Sequence, residues 1–133
     1  MLYISGFYIA LTALLLLVLT VLVVRQRLKL NVALLDGGHP ALVVAIRSHA
    51  NALENALPVL LLLMVAELNG AGAAFLHACG VVFIIARVLH AWGFTYSQGG
   101  KHFGRFYGTL VTWIVLAVLI VDVLWLSVAG MAG

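Results

Sequence analysis

Residues 41–64 read ALVVAIRSHANALENALPVLLLLM, an apolar segment long enough to cross a membrane that nevertheless carries strongly polar side chains. Arg47, Asn51 and Glu54 lie at positions i, i+4 and i+7 of this segment, so in a helix they share one face. A charged side chain at membrane depth costs roughly 2.5 to 3.5 kcal/mol on insertion scales. We therefore expect this face to point toward a partner, a cavity or a ligand.

The composition places the chain outside the soluble classes. Of its 133 residues, 65% are hydrophobic and only 8% are charged, with a mean hydropathy of +1.22. Soluble domains carry about a quarter charged residues. The seven basic residues are not clustered with exposed aromatic residues, so we expect no nucleic-acid partner. No HExxH, paired cysteine or His/carboxylate cluster stands at ligand spacing, so we expect no metal site.

Four segments have the length of about 20 residues that a membrane helix needs. They lie near residues 3–25, 41–67, 73–95 and 105–129, and the breaks between them contain Gly, Asn or Pro. Backbone groups in lipid must be hydrogen-bonded within the segment, so all four are predicted to be helices. The sequence thus predicts an all-α membrane protein in which residues 1–133 form a single bundle of four transmembrane helices.

The basic residues also predict the orientation of the chain. Cytoplasmic connections carry an excess of Lys and Arg. The first and third connections hold five of the basic residues, whereas the termini and the second connection hold none. We expect both termini on the non-cytoplasmic side and the polar site open to the cytoplasm. The five residues are Arg25, Arg27, Lys29, Lys101 and Arg105.

The third helix supplies a second polar face. Arg87, His90 and Phe94 lie at i, i+3 and i+7. Arg87 could pair with Glu54, and Asn51 could act only as an interhelical hydrogen-bonding group, which would make both faces structural. On these two polar faces, however, two arginines stand against one glutamate, and this imbalance favours a ligand that carries a carboxylate.

The combined pattern resembles the MAPEG family, the membrane-associated proteins in eicosanoid and glutathione metabolism. The likeness rests on Arg47-x-x-x-Asn51-x-x-Glu54-x-x-x-Pro58, on Ala86-Arg87-x-x-His90-x-x-x-Phe94, and on the basic end of the first helix. Asp36-Gly37-Gly38 and the short length look most like a bacterial branch of the family rather than the eukaryotic prostaglandin or leukotriene enzymes.

This resemblance implies a homotrimer in the bacterial inner membrane that binds glutathione between adjacent subunits. It implies a transferase or peroxidase that acts on a lipophilic electrophile or hydroperoxide arriving from the membrane lipid. Arg105 is the candidate for stabilising the glutathione thiolate, with Lys101 as the alternative. The candidate glutathione-binding residues are Arg25, Arg47, Asn51, Glu54, Arg87, His90 and Tyr107.

Departures from the family pattern keep other functions open. Phe94 stands where many family enzymes carry a tyrosine, and Asn55 replaces a tyrosine or threonine found in relatives. The family also includes a non-enzymatic scaffold, so a non-catalytic lipid-binding or small-molecule-binding protein is the main alternative. A small four-helix exporter with Glu54 as the coupling acid is a third, although the excess of arginines argues against cationic substrates.

Overall fold

The structure is a computed structural model that describes residues 1–132. It contains four helices: α1 Tyr3–Leu30, α2 Pro40–Leu68, α3 Ala73–Tyr96 and α4 Phe103–Ala132. Each is long and apolar enough to cross a membrane, and the described part of the chain contains no strand. The prediction of an all-α bundle of four transmembrane helices is confirmed.

The first helix is longer than the prediction near residues 3–25. It ends at Leu30, so Arg25 and Lys29 lie on the helix rather than in the connection. Cations in a last turn interact favourably with the partial negative charge of a helix C-terminus, which favours the extension. Asn31 then ends the helix in the left-handed conformation with φ 54°, and Arg27 donates a hydrogen bond of 2.9 Å to the carbonyl of Leu35. We call this end of the molecule, with residues 97–102, the basic end.

The helices pack with α2 and α3 at the centre. α1 contacts α2 and α3, α4 contacts the same two helices from another side, and α1 does not pack against α4. The core between them is apolar and includes Leu63, Leu76, Phe83 and Leu119, all almost fully buried. Within this bundle, Asn51 of α2 and Arg87 of α3 meet on the side that faces α4.

Glycines let α3 and α4 approach at backbone distance. A Cβ atom on Gly108 would lie 2.7 Å from the carbonyl oxygen of Ala86 and 2.7 Å from the Cβ of His90, and one on Gly104 would lie 2.9 Å from the carbonyl oxygen of Leu89. Gly104 and Gly108 form a small-xxx-small pair, the pattern by which membrane helices pack closely. The four-residue spacing of this pair is visible in the sequence.

At the opposite end, Glu67 of α2 joins the start of α1. Its carboxylate accepts hydrogen bonds from the backbone N–H of Ile4 at 2.9 Å and of Ser5 at 2.7 Å. These donors are among those that a helix N-terminus leaves without intrahelical partners, and a negative charge is favourable there. Glu67 thus anchors α1 to α2 far from the basic end.

We predict that Gly108→Ala destabilises the bundle by about 1 to 3 kcal/mol, the usual cost of overpacking a tight contact. The added methyl group cannot fit without separating α3 from α4, because the atoms it meets belong to backbone or to a Cβ. Thermal unfolding of the detergent-solubilised protein, followed by circular dichroism, measures the effect.

Gly6→Ala is the matched control, since Gly6 lies inside α1 and an added Cβ there meets nothing within 4 Å. This variant should unfold at the same temperature as the unchanged protein or slightly above it, because alanine is the better helix former. Equal unfolding temperatures for Gly108→Ala and Gly6→Ala would show that α3 and α4 leave room for a methyl group at position 108.

Candidate functional site

A fully buried arginine lies at the centre of the polar region. Arg87 of α3 is 1% exposed. Its Nη1 donates to the side-chain oxygen of Asn51 on α2 at 3.2 Å, and its Nη2 donates to the carbonyl oxygen of Gly108 on α4 at 2.9 Å. Its Nε is buried and has no acceptor within residues 1–132. One side chain therefore links three helices and retains an unused donor.

Arg87 does not pair with Glu54, the structural option raised by the sequence. Glu54 instead lies 3.8 Å from Arg47 on its own helix, and these two side chains are 58% and 55% exposed, respectively. Glu54 lies on the outer side of α2, whereas Asn51 turns inward to Arg87. An exposed ion pair of this kind contributes about 0 to 1 kcal/mol. Both charged groups therefore remain accessible to a ligand.

Toward the C-terminus of α3, one and two turns after Arg87, the rings of His90 and Phe94 connect this helix to the start of α4. His90, which is 2% exposed, stacks on Phe94 with ring centroids 5.8 Å apart. The guanidinium of Arg105 lies over the ring of Phe94, 4.7 Å from its centroid, in a cation–π contact. The phenyl ring of Phe94 thus supports Arg105.

Backbone carbonyls of the third connection fix the same guanidinium. Nη1 of Arg105 donates to the carbonyl of Gly100 at 3.1 Å and makes a second, short contact with the carbonyl of Gly99. Gly99 has φ 80°, a left-handed conformation that glycine adopts without strain. The recorded hydrogen bonds of Arg105 use Nη1 alone, so its remaining N–H groups stay free to bind an anion.

Two cavities lie close to this arginine, and Arg105 itself lines the second. Arg47 and Phe94 line the first, of 520 Å³, together with Gly99. The second, of 820 Å³, extends from Arg105 and Lys101 along the apolar side chains of α4, including Phe106 and Trp113. Phe94 therefore lines the cavity that contains Arg47 and also contacts Arg105, and an open apolar groove begins beside Arg105.

Of three other predicted residues, Arg25 and Tyr107 lie apart from this group within one chain, whereas Lys101 lies beside Arg105. Arg25 lines a separate groove between α1 and α2. Tyr107 is 53% exposed and follows Arg105 by two residues, which places it about 200° around α4. Lys101 is exposed in the third connection, lines the larger cavity, and has no recorded hydrogen bond or ion pair within the described residues. Arg105 is thus the better positioned of the two candidate thiolate-stabilising residues.

Comparison with known proteins gives the family. The model of the MAPEG family matches residues 5–125. The chain is also 36% identical over 122 residues to "Inner membrane protein YecN" of Escherichia coli K12, covering 92% of this chain and 91% of that protein. The counterpart in Escherichia coli O6:H1 gives the same values.

The chain belongs to the MAPEG family, which includes glutathione-dependent enzymes. The resemblance inferred from the two polar motifs is confirmed by both comparisons. The relatives are described as inner membrane proteins, and the four long apolar helices of this chain agree with a membrane location.

We predict that Asn51→Leu destabilises the protein by about 1 to 3 kcal/mol, because Nη1 of the buried Arg87 loses its acceptor. Asn51→Asp should be more stable than Asn51→Leu, because a carboxylate accepts the same hydrogen bond and compensates the positive charge of Arg87. Thermal unfolding of the purified variants checks both results.

Asn55→Leu provides the control, because the amide of Asn55 donates only to the carbonyl of Asn51 on its own helix. Its unfolding temperature should change by far less than that of Asn51→Leu. If the leucine variants at positions 51 and 55 proved equally stable, Arg87 would not depend on Asn51.

Proposed function

We propose that this protein is a glutathione transferase or glutathione-dependent peroxidase of the bacterial inner membrane, acting on lipophilic electrophiles or hydroperoxides. The observation that carries the proposal is the position of Arg105, whose guanidinium is fixed on Phe94 and on two backbone carbonyls at the mouth of an apolar cavity. Such an arrangement suits an anionic sulfur that meets an apolar partner.

The charges of the site match those of glutathione. Glutathione has two carboxylates, an ammonium group and a thiol. Arg47 and the unused Nε of Arg87 supply donors for carboxylates, and the exposed carboxylate of Glu54 can accept the ammonium group. Because Arg87 is buried in a single chain, a ligand would reach its Nε only through a rearrangement of the surrounding side chains. Arg47, Glu54 and Phe94 are therefore the first groups that glutathione would meet.

Arg105 would supply the chemical activation. A cysteine thiol has a pKa of about 8.5, and a nearby guanidinium stabilises the thiolate, which is the nucleophile. In a conjugation, the thiolate sulfur forms a bond to the electrophilic carbon, and the leaving group departs with the electron pair of the broken bond. The cavity along Phe106 and Trp113 would hold the apolar part of the electrophile next to that sulfur.

The proposal includes a homotrimer with the ligand between subunits. Arg25 and Tyr107 lie too far around the bundle to join Arg105 within one chain. A neighbouring subunit could bring both to the site, and it would cover part of the exposed apolar surface of α1 and α4. The basic end would face the cytoplasm under the positive-inside rule, which gives the site access to cytoplasmic glutathione.

A non-catalytic lipid-binding protein remains the competing function, and two measurements separate it from the enzyme. We predict that the purified protein binds glutathione and conjugates it to a generic aryl halide. Arg105→Ala should lower turnover by about 100-fold, the loss typical of removing a fixed donor to a developing anion, and should leave glutathione affinity within a few-fold. Steady-state kinetics and equilibrium dialysis give the two values.

Lys101→Ala is the control, since Lys101 lines the same cavity but is not fixed by the fold. It should keep most of the turnover. A large loss in Lys101→Ala with none in Arg105→Ala would assign thiolate stabilisation to the lysine. A folded protein that binds glutathione without any turnover would favour the non-catalytic function.

A further inference from the structure

A second polar groove lies at the basic end, between α1, the start of α2 and the end of α3. Its volume is 530 Å³. Arg25, Gln26 and Lys29 of α1 line one wall, at positions i, i+1 and i+4, and Leu22 continues this wall toward the apolar part of the helix. Ser48 of α2 lies on the facing side. The groove therefore joins a polar, basic mouth to an apolar stem.

The two cations of this groove are uncompensated. Arg25 and Lys29 lie one helical turn apart on α1, and like charges at this spacing repel each other. No carboxylate lines the groove, and the single ion pair among the described residues joins Arg47 to Glu54. Within residues 1–132, the side chains of Arg25 and Lys29 make no hydrogen bond. Arg27 differs, because it donates a hydrogen bond to the carbonyl of Leu35. An anion would be favourable between them.

Ser48 gives independent evidence for a ligand. It is 1% exposed, and its Oγ has no hydrogen-bond partner within residues 1–132. Buried hydroxyl groups are normally hydrogen-bonded, and a serine inside a helix commonly bonds to the carbonyl four residues earlier. Thr12 and Thr112 of this chain make such bonds with their hydroxyl groups, whereas Ser48 does not. An unused hydroxyl on the wall of a basic groove is available to an oxyanion.

We propose that this groove binds the phosphate headgroup of an anionic phospholipid. Arg25 and Lys29 would contact the phosphate, Gln26 and Ser48 would donate hydrogen bonds to the headgroup, and the acyl chains would leave along Leu22. Basic pockets between transmembrane helices are typical binding sites for such headgroups. The groove shares Arg25 with the glutathione site proposed above, whereas Lys29 and Ser48 belong to the groove alone, so failure of lipid binding would leave the glutathione proposal intact.

The test uses the full purified chain, stripped of lipid in neutral detergent, and native mass spectrometry with dioleoyl phosphatidylglycerol, dioleoyl phosphatidylcholine or inorganic phosphate. We expect phosphatidylglycerol to bind at least fivefold more tightly than phosphatidylcholine. Lys29→Gln and Ser48→Ala should each weaken phosphatidylglycerol binding at least threefold. Ser48→Ala removes an unbonded hydroxyl, so its unfolding temperature should not fall, which separates lost binding from lost structure.

Lys101→Gln is the matched control, because it removes a lysine from the same end of the molecule but outside the groove. It should leave phosphatidylglycerol binding unchanged. Equal losses in Lys29→Gln and Lys101→Gln, or equal binding of the two lipids, would overturn the proposal in favour of general attraction to a charged membrane surface. Binding of inorganic phosphate without a lipid preference would overturn it as well.

Discussion

The burial of the Arg87 guanidinium without a carboxylate is the constraint on which the rest of this structure depends. A buried charge is costly unless it is paired or fully hydrogen-bonded. Here the compensation comes from dipoles: the amide oxygen of Asn51 on α2 and the carbonyl of Gly108 on α4. Since these partners lie on different helices, α2, α3 and α4 cannot move apart without leaving an unsolvated cation. The polar residues that seemed out of place in an apolar chain thus define how three of its helices meet.

The same contact positions the residue that we assign to chemistry. Gly108 can offer its carbonyl to Arg87 only because the absence of a side chain lets α4 approach α3, and Gly104 makes a similar approach at Leu89. Arg105 lies between these two glycines in the sequence, so the close packing fixes its position relative to α3. Phe94, two turns beyond Arg87 on α3, then supports its guanidinium. Stability and the proposed activity therefore rest on one helix pair.

Much of this arrangement could be predicted from the sequence, because membrane helices leave strong signals in hydropathy and charge. The four helices follow from hydropathy, and the shared face of Arg47, Asn51 and Glu54 follows from their spacing, but only Asn51 of these three turns inward to Arg87. The partners of Arg87 and Glu54 could not be predicted from the sequence, because several rotations of the helices satisfy the same spacing pattern. Only the packing of the helices selects one of these rotations. The support of Arg105 by Phe94 and by the carbonyls of Gly99 and Gly100 depends on the path of the third connection, which periodicity cannot supply. The Gly104-x-x-x-Gly108 spacing, by contrast, was an available signal for the α3–α4 contact.

The central claim is that Arg105 and its surroundings hold glutathione as a thiolate. Ultraviolet difference absorbance of the unmodified protein, titrated with glutathione at neutral pH, tests this claim most directly because the thiolate absorbs where the thiol does not. We expect a thiolate band that saturates with bound glutathione and disappears when S-methyl glutathione replaces it. Saturable glutathione binding with no thiolate band at neutral pH would contradict it.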